Sequence, residues 1–435
     1  MRGASAGAVA LALALAAGSG CVPRGSPYPA PDCIDGETRA CGTDEGACVA
    51  GTETCTGRAW GACAGAVEPV PETCGDGADQ DCDGAVDEGC CSPGLLTIET
   101  IEEDAGGGGA GGHWSALAVD PEGTAHVAYT REGSDDLRYA RRPREGGWEI
   151  ETVDADGMTG WYPSIARDAS GVLHVVYYAP AAQELRYARR DGDGAAWALE
   201  PAVESVIPNG TSMAVDGGGV VHVAFRDEVT PSYALRAPDG TWIVEPIAVG
   251  EVAGAWAALA LDAEGVAHVT FQGEESGALL HGERSSGGWT IEQLDQFAFL
   301  GLNLAGSAIA AVGTTLYVAY YHADLADLRL ATRAAPGAAW TIDTVASAGD
   351  VGRSAVLAAE PDGALHVAYW ESAAFTSTLR YGRRAAGAAA FTSEALTSFG
   401  GEAQKIALVA DADGGAHLTW YDPSAAALRY AHRCP

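Results

Sequence analysis

The chain has few basic residues and few long apolar segments. Its 435 residues include 25 Lys and Arg against 59 Asp and Glu, which gives a formal net charge of -34. Nucleic-acid binding needs cations that neutralise phosphates, so that class of partner is excluded. No apolar run beyond the first 20 residues is long enough for a transmembrane helix. The 47% hydrophobic content nevertheless suffices for a large core, which excludes global disorder.

Catalytic motifs are also missing. The sequence contains no HExxH zinc motif and no phosphate-binding loop ending in Lys-Ser or Lys-Thr. These absences favour a binding or structural role over an enzymatic one, although they leave open a catalyst without such a motif.

The first 20 residues have the features of an export signal. Arg2 precedes an apolar segment from Ala8 to Ala17, and small residues then lead to Cys21. A cysteine after small residues resembles the lipobox of bacterial lipoproteins, although Gly18 stands where that pattern has an apolar residue. The resemblance implies lipidation at Cys21 and a membrane anchor at the outer membrane or cell surface, with ordinary cleavage into the periplasm or medium as the alternative. Residues 21–32 are rich in Pro, Gly and Ser and are expected to form a tether.

Cysteines concentrate in the next segment, residues 33–91. Nine of the 11 cysteines fall there, and Cys434 lies at the other end of the chain. If Cys21 is lipidated, ten cysteines remain, which is an even number suited to disulfides in an exported protein. A segment of this length with few large apolar side chains needs such cross-links in place of a core. The sequence does not fix their connectivity.

An acidic loop lies inside this Cys-rich module. Asp79, Asp81 and Asp83 alternate, Gly84 follows, and Asp87 comes next, while Cys90 stands where an EF-hand loop has its last acidic ligand. The stretch resembles the short acidic metal-binding motif of bacterial surface proteins and, more loosely, the calcium repeats of thrombospondins and dockerins. The resemblance implies structural calcium bound by these four aspartates. The alternative is a solvated acidic loop held by disulfides.

From Leu95 onward the chain repeats one unit seven times. A histidine opens the second strand of six units and a tyrosine takes its place in the fifth, with steps of 46 to 51 residues between them: His126, His174, His222, His268, Tyr317, His366 and His417. The pattern of each unit indicates four strands, and five of the seven units have an Asp-x-x-Gly turn between the first two strands. Four strands in a unit of this length predict a blade of a β-propeller, so we expect an all-β fold with a seven-bladed propeller over residues 92–435.

The ends of the repeat region predict how the ring closes. The segment Leu96–Ile101 matches Trp148–Val153, the fourth strand of a unit, and precedes the first copy, whereas the last copy stops after its third strand. The N-terminal strand should therefore complete the last blade, which leaves few open sheet edges. Because Cys90 and Cys91 precede the first of these strands and Cys434 follows the other, we predict a disulfide between Cys434 and one of the two, with Cys91 preferred over Cys90.

The repeats resemble bacterial propeller repeats and, in their turn, the Asp-box of sialidase-type (BNR-like) propellers, although the full Asp-box pattern is absent. This resemblance supports a fold and transfers no function, since propellers host enzymes, lectins and scaffolds.

Residues that recur in every copy are expected to be structural. The histidines are spread around a ring rather than converging on a metal, so each should form a hydrogen bond beside its Asp turn. An arginine that ends the third strand and an acid in the fourth strand also recur, which predicts Arg–acid contacts across strands or between blades.

Functional residues are expected where the repeat varies. Two variable positions follow the constant aromatic of the second strand, and in a propeller they should open onto one face together with aromatic residues of the linking loops. The predicted ligand-binding set is Tyr178, Arg226, Asp227, Tyr321, His322, Trp370, Glu371, Tyr421, Asp422, Trp161 and Trp256, with Trp114 and Tyr162 in the same loops. Aromatic side chains among charged ones suit a sugar or a peptide. Ordinary loop variation is the alternative.

Three functions remain open from the sequence. The first is a monomeric, exported protein that binds an extracellular glycan or protein. The second is a glycan-acting enzyme, for which Asp227, Glu371 and Asp422 are the candidate carboxylates. The third is an envelope scaffold with no affinity for small ligands.

Overall fold

The computed structural model describes residues 33–70, 77–82, 84, 94–103, 114–131, 133–144, 146–247, 250–297, 306–373, 376–400 and 405–435. Every regular element in this part of the chain is a β-strand. The all-β prediction is therefore confirmed. The described residues contain no helix with the length and apolar character needed to cross a membrane. The chain divides into two compact units, Met1–Cys90 and Cys91–Pro435.

The first unit is a small sheet held by disulfides. Its three strands are β1 (Thr38–Cys41), β2 (Gly51–Thr56) and β3 (Ala59–Trp60). Three disulfides cross it: Cys33–Cys55, Cys41–Cys63 and Cys48–Cys82. Cross-links thus take the place of a hydrophobic core, as the cysteine content predicted. Disulfides of this density are typical of exported proteins.

The second unit contains seven four-stranded antiparallel sheets. One strand precedes the repeats, β4 (Leu96–Glu103). Sheets one to three consist of β5 (Ser115–Val119), β6 (Ala125–Arg131), β7 (Asp136–Arg142), β8 (Glu149–Asp154); β9 (Trp161–Arg167), β10 (Leu173–Ala179), β11 (Glu184–Arg190), β12 (Ala198–Glu204); β13 (Thr211–Val215), β14 (Val221–Asp227), β15 (Thr230–Arg236), β16 (Trp242–Pro246). Sheets four and five consist of β17 (Ala253–Leu261), β18 (Ala267–Gly273), β19 (Ala278–Ser285), β20 (Gly288–Gln296); β21 (Ser307–Val312), β22 (Thr315–His322), β23 (Asp327–Arg333), β24 (Thr341–Ala346). Sheets six and seven consist of β25 (Asp350–Ala359), β26 (Leu365–Ala373), β27 (Thr376–Arg384), β28 (Thr392–Gly400); β29 (Ile406–Ala410), β30 (Ala416–Asp422), β31 (Ala427–Arg433) and β4.

The first strands of the seven sheets contact one another in a closed cycle. Each touches the first strand of the next sheet, and β29 of the last sheet touches β5 of the first. We call these seven the inner strands. Seven buried apolar clusters lie between consecutive sheets, one at each junction of the cycle. The core of this unit is therefore distributed around a propeller-like ring.

The seventh sheet closes this cycle by pairing both ends of the repeat region. Strand β4 pairs antiparallel with β31, so that Glu99 faces Tyr430, and the Cys434 amide donates to the Leu95 carbonyl at 2.9 Å. This is the pairing predicted for the N-terminal strand. Cys434 is disulfide-bonded. Its predicted partner, Cys91, lies outside the described residues, so that pairing stays a prediction for peptide mapping.

The recurring histidines are structural. His126 Nδ1 lies 2.6 Å from the Tyr139 hydroxyl, and its Nε2 lies 3.4 Å from Asp120 of the preceding turn. The same pair of contacts recurs at His174 and His417. Burial lowers the pKa of each of these imidazoles, against the opposing effect of the neighbouring carboxylate. Each histidine therefore ties two strands to a turn.

The recurring arginines connect neighbouring sheets. Arg236 of sheet three pairs with Glu200 of sheet two at 2.7 Å, and the Trp242 indole nitrogen donates to the same carboxylate at 3.2 Å. Equivalent Arg–acid pairs are Arg142–Glu99, Arg190–Glu151, Arg284–Glu245, Arg333–Glu292 and Arg433–Glu394. Arg384 departs from the pattern, because it stacks on the rings of Tyr317 and Phe391. The predicted contacts between blades are thus present in six of the seven cases.

Candidate functional site

One residue of each sheet lies at the same end of the inner strands. In each sheet the repeat histidine, or Tyr317 in sheet five, pairs with an inner-strand residue, such as Ala118 with His126. The residue four positions before that partner lies just before the inner strand or within its first residues, on the side where that strand begins. These seven equivalent positions, which we call the mouth ring, are Trp114, Tyr162, Gly210, Trp256, Gly306, Ser354 and Lys405.

A cavity of about 300 Å³ lies inside this ring. The inner strands of all seven sheets contribute to its wall, largely with small side chains such as Ala116, Ala258 and Ala407. Two wall serines also hold the ring together: Ser164 Oγ accepts from the Met213 amide and Ser212 Oγ from the Leu259 amide, both at 3.0 Å. The wall is thus built by the same bonds that join adjacent sheets.

Aromatic rings form an arc along one side of the mouth. The Trp114 ring centroid lies 4.3 Å from that of Tyr162 and 5.3 Å from that of Trp161. The Tyr162 centroid lies 5.6 Å from that of Trp256. All four side chains are only partly buried, so each keeps exposed surface. We call Trp114, Trp161, Tyr162 and Trp256 the aromatic arc.

Irregular backbone directs two of these rings. Tyr162 and Trp256 have positive φ values of 51° and 53°, and the ladder between the inner and second strands shifts register beside them. Positive φ is unfavourable for bulky residues, and bulges often redirect a side chain near a functional site. Regular strands would hold these side chains in the ordinary alternation of the sheet.

Gly210 allows the arc to be continuous. A Cβ atom at this position would lie 2.8 Å from Cε3 of Trp256, so any side chain here would displace the indole. Because Gly210 has none, the Trp256 ring extends over sheet three and reaches Tyr162 of sheet two. At the equivalent Gly306, the space that a side chain would take lies next to the Lys405 amine.

Lys405 brings a positive charge to this mouth. Its amine nitrogen lies 3.7 Å from the Trp256 ring centroid, which places the charge over the ring face. Burial lowers the pKa of this amine to about 8. It is the only lysine in the sequence, and the cavity-lining side chains otherwise carry no charge.

The predicted residues of the second strands lie at this end of the sheets, but most of them are buried. Tyr178 pairs in register with Trp161, and Trp370 pairs with Arg353. Trp370 has no exposed surface and packs edge-on against Phe399 at 4.9 Å. Their expected exposure is therefore wrong, because the space between sheets absorbs these side chains. The buried members of the predicted set are Tyr178, Arg226, Tyr321, His322, Trp370 and Tyr421.

Several of these residues already have partners inside the protein. The Arg226 guanidinium lies 2.5 Å from Glu274. The Tyr321 hydroxyl donates to Asp350 at 2.9 Å. His322 packs its ring 5.1 Å from that of Phe297. Of the predicted ligand-binding set, the partly buried aromatics Trp161 and Trp256 are the members that belong to the aromatic arc.

Two of the three candidate carboxylates are already paired with arginines of the protein. Asp227, Glu371 and Asp422 stand on sheets three, six and seven. Glu371 pairs with Arg380 at 2.6 Å, and Asp422 lies 3.6 Å from Arg429 while accepting from the Ser424 amide. Glycosidic cleavage by two carboxylates needs both on opposite sides of one bond. This arrangement does not favour that chemistry.

Two groups of side chains have the residue types of a metal site, and the first is the acidic loop of the N-terminal unit. Asp79 is buried and accepts from the amides of Cys82 at 2.6 Å and Gly84 at 3.1 Å. This wraps the loop around its carboxylate, and Asp81 lies in the same loop. Asp83 and Asp87, the other predicted calcium ligands, lie outside the described residues.

The second group, in sheet seven, consists of Asp411, His417 and His432. Their donor atoms lie within 4.8 Å of one another. The Asp411–His417 contact, however, repeats the hydrogen bond found in the other sheets, and the two imidazoles stack at 4.3 Å. The group is therefore explained by packing and hydrogen bonding.

Comparisons with known proteins support the fold. No family model matches the chain, and no curated protein matches its sequence. Among solved structures, an ulvan lyase bound to -[GlcA(1-4)Rha3S]- is 11% identical, covers 76% of this chain and 94% of its own, and has a TM-score of 0.52. AofleA from Arthrobotrys oligospora is 16% identical, with 72% and 94% covered and a TM-score of 0.49. A lectin from Aleuria aurantia in complex with Fucalpha1-6GlcNAc is 13% identical, with 67% and 97% covered and a TM-score of 0.47. At these identities the similarity concerns the fold alone.

Proposed function

We propose that this chain is an exported carbohydrate-binding protein, a seven-bladed β-propeller that binds a glycan at the mouth of its central cavity. The observation that carries the proposal is the aromatic arc. Four aromatic side chains from sheets one, two and four meet at the mouth of one cavity and keep exposed surface. The closed cycle of inner strands supports the seven-bladed architecture.

The chemistry of the mouth suits a sugar. A pyranose ring has an apolar C–H face that stacks on an aromatic face, and hydroxyl groups around its edge that need polar partners. The arc offers the faces, and the Tyr162 hydroxyl and the Lys405 amine offer polar groups beside them. A cavity of about 300 Å³ lies at the small end of the volumes found for ligand-binding pockets in proteins, and it fits one or two sugar units.

The N-terminal part is proposed to present this propeller outside the cell. Its elements would be a cleaved signal over residues 1–20, lipid on Cys21, a tether to residue 32, and structural calcium in the first unit. Support comes from the export-type disulfides and from Asp79, whose carboxylate lies within a loop of acidic residues. Calcium would replace part of the missing core energy in this unit.

A glycan array probed with the purified full chain tests the proposed function. We expect selective retention of one saccharide class, lost in Tyr162→Ala and in Trp256→Ala, since each variant breaks the arc. Trp60→Ala is the matched control, because it removes a partly buried aromatic from the first unit. Retention of binding by both arc variants, or no binding to any saccharide by the wild-type chain, would overturn the proposal.

A glycan-acting enzyme is the second candidate, favoured by Lys405. An amine with a pKa of about 8 is partly neutral near that pH and can accept a proton. Arginine keeps the charge and stays protonated, so Lys405→Arg would preserve binding and abolish turnover if the amine is a base. Release of shorter chains from a bound glycan by the wild type alone would favour this candidate.

A further inference from the structure

The charge at the mouth is unusual for this molecule. In a chain with a net charge of -34, arginines of the sheets pair with carboxylates, as Arg142 does with Glu99 and Arg333 with Glu292. Lys405 forms no ion pair within the described part of the chain, where its close neighbour is the Trp256 ring. A positive charge held partly buried without an anion is costly, so the fold leaves this amine available to a ligand.

We propose that the ligand is an acidic saccharide whose carboxylate or sulfate pairs with Lys405. This inference rests on the proposed function, which names a glycan, and adds the class of glycan. The amine lies over one face of the Trp256 ring, whose centroid is 5.6 Å from that of Tyr162, so a sugar unit stacked on a neighbouring ring of the arc can bring its anionic group to the amine.

Lys405 is the one charged side chain among the described residues that line the cavity, so its charge determines which ligands the cavity favours. Alanine, serine, leucine and aromatic side chains surround Lys405, and none of them carries a charge at neutral pH. Among the described residues of the lining, no carboxylate competes with the ligand for the amine. The chain as a whole carries a net charge of -34, which on average repels a polyanionic glycan, whereas Lys405 offers it a cation that forms no ion pair with a described residue. The mouth therefore selects for one anionic group in register with the arc.

The ring positions opposite the arc provide the space for that group. Gly306 and Ser354 occupy the equivalent positions of sheets five and six, so the mouth ring itself has only small residues on that side. Even a methyl group in place of the Gly306 hydrogen would lie 3.6 Å from the Lys405 amine nitrogen, which is an ordinary van der Waals distance. The amine of Lys405 therefore lies beside Gly306 as well as over the Trp256 ring.

The test is an array of matched saccharide pairs probed with the full chain. Each pair shares one backbone and differs in charge: a β-1,4-glucan with its C6-oxidised glucuronan, a methyl-esterified galacturonan with its free acid, and sulfated chains with their desulfated forms. We expect the acidic member of at least one pair to bind more than tenfold more tightly than its neutral partner. Carboxylated and sulfated members distinguish the two sources of the anion.

Three variants assign this selectivity to the amine. Lys405→Gln should lower affinity for the acidic member more than tenfold but for the neutral member by no more than about threefold, because glutamine keeps a polar N–H donor and loses only the charge. Lys405→Arg should remain within about threefold of wild type for both members. Arg167→Gln is the matched control, because it removes one positive charge at the other end of inner strand β9. It should leave both affinities unchanged.

The outcomes separate the two proposals. Equal binding of neutral and acidic members, or selectivity that survives Lys405→Gln, overturns the acidic-ligand inference and leaves the glycan-binding function intact. No binding to any member overturns both.

Discussion

Replacing Lys405 by methionine should stabilise the protein at neutral pH. Burial lowers the pKa of this amine from 10.5 to about 8, so the folded state holds the charged form at a cost that the unfolded chain does not have. Methionine has a similar length and no charge. The substitution removes the cost while it keeps most of the packing against Trp256.

The magnitude follows from the pKa shift. At about 1.4 kcal/mol per pKa unit, the shift corresponds to roughly 3 kcal/mol of lost stability below pH 8. The contact with the Trp256 ring returns about 1 kcal/mol, which methionine forgoes in part. A net gain of about 2 kcal/mol remains. With an unfolding entropy of about 2 cal/mol/K per residue over the second unit, this gain is a rise in Tm of roughly 3 °C.

The stabilising effect of Lys405→Met should depend on pH. Between pH 8 and 10.5 the unfolded state keeps a proton that the folded state has lost, so the wild-type chain gains stability as pH rises through this window. The difference in Tm between Lys405→Met and wild type should therefore be largest below pH 8 and vanish near pH 10.5. Tyrosines that titrate in the same range are common to both proteins and cancel. A variant that is less stable at pH 7, or a difference that does not change with pH, would refute this account of the amine.

Three further predictions follow from other parts of the molecule. Affinity for an acidic glycan should fall as pH rises above 8, because the amine of Lys405 loses its proton there. Tyr162 stays neutral over the same range, since burial raises its pKa. Isothermal titration calorimetry at pH 7 to 9.5 measures this affinity, and a constant value would contradict the prediction. The Tm of the chain should drop as pH falls from 7.5 to 5, because burial lowers the pKa of the sheet histidines in the folded state and the unfolded state therefore binds more protons. Differential scanning calorimetry measures this Tm, and an unchanged value would mean that these imidazoles titrate freely in the folded protein. Calcium should bind the full chain and raise its stability, whereas Asp79→Ala should bind calcium at least tenfold more weakly; a flat calorimetric titration of the wild type would remove calcium from the account.

The repeat made much of the fold predictable. A unit that recurs seven times reports its strand order in each copy, and errors in one copy are corrected by the others. The closing pair of β4 and β31 was predictable because Leu96–Ile101 matches the fourth strand that the last copy lacks. The hydrogen bonds of His126 and its equivalents followed from the same logic, since a residue that recurs around a ring serves each sheet in the same way.

The candidate site was harder to predict because it consists of residues that differ from one repeat unit to the next. Variable residues at the ends of the second strands suggested exposure, but Trp370 fills the space against Phe399, which lies 29 positions further along the chain. Only the packing between strands shows this contact. Lys405 forms no pattern by itself, and its place beside Trp256 emerges from the register of the inner strands. One signal in the sequence could have indicated it: it is the only lysine of the chain.

Because Lys405 is the only lysine of the chain, the central claim, that a glycan binds at the mouth beside the aromatic arc, can be tested directly. Reductive methylation with ¹³C-formaldehyde keeps the charge of the amine and labels the single lysine together with the terminal amine, and the Lys405→Arg variant identifies which NMR signal is which. We predict that titration with the glycan retained on the array shifts the Lys405 signal saturably and raises its pKa above the free value of about 8. A glycan that binds the chain at saturation while the position and pKa of the Lys405 signal stay unchanged would place the site elsewhere and contradict the account.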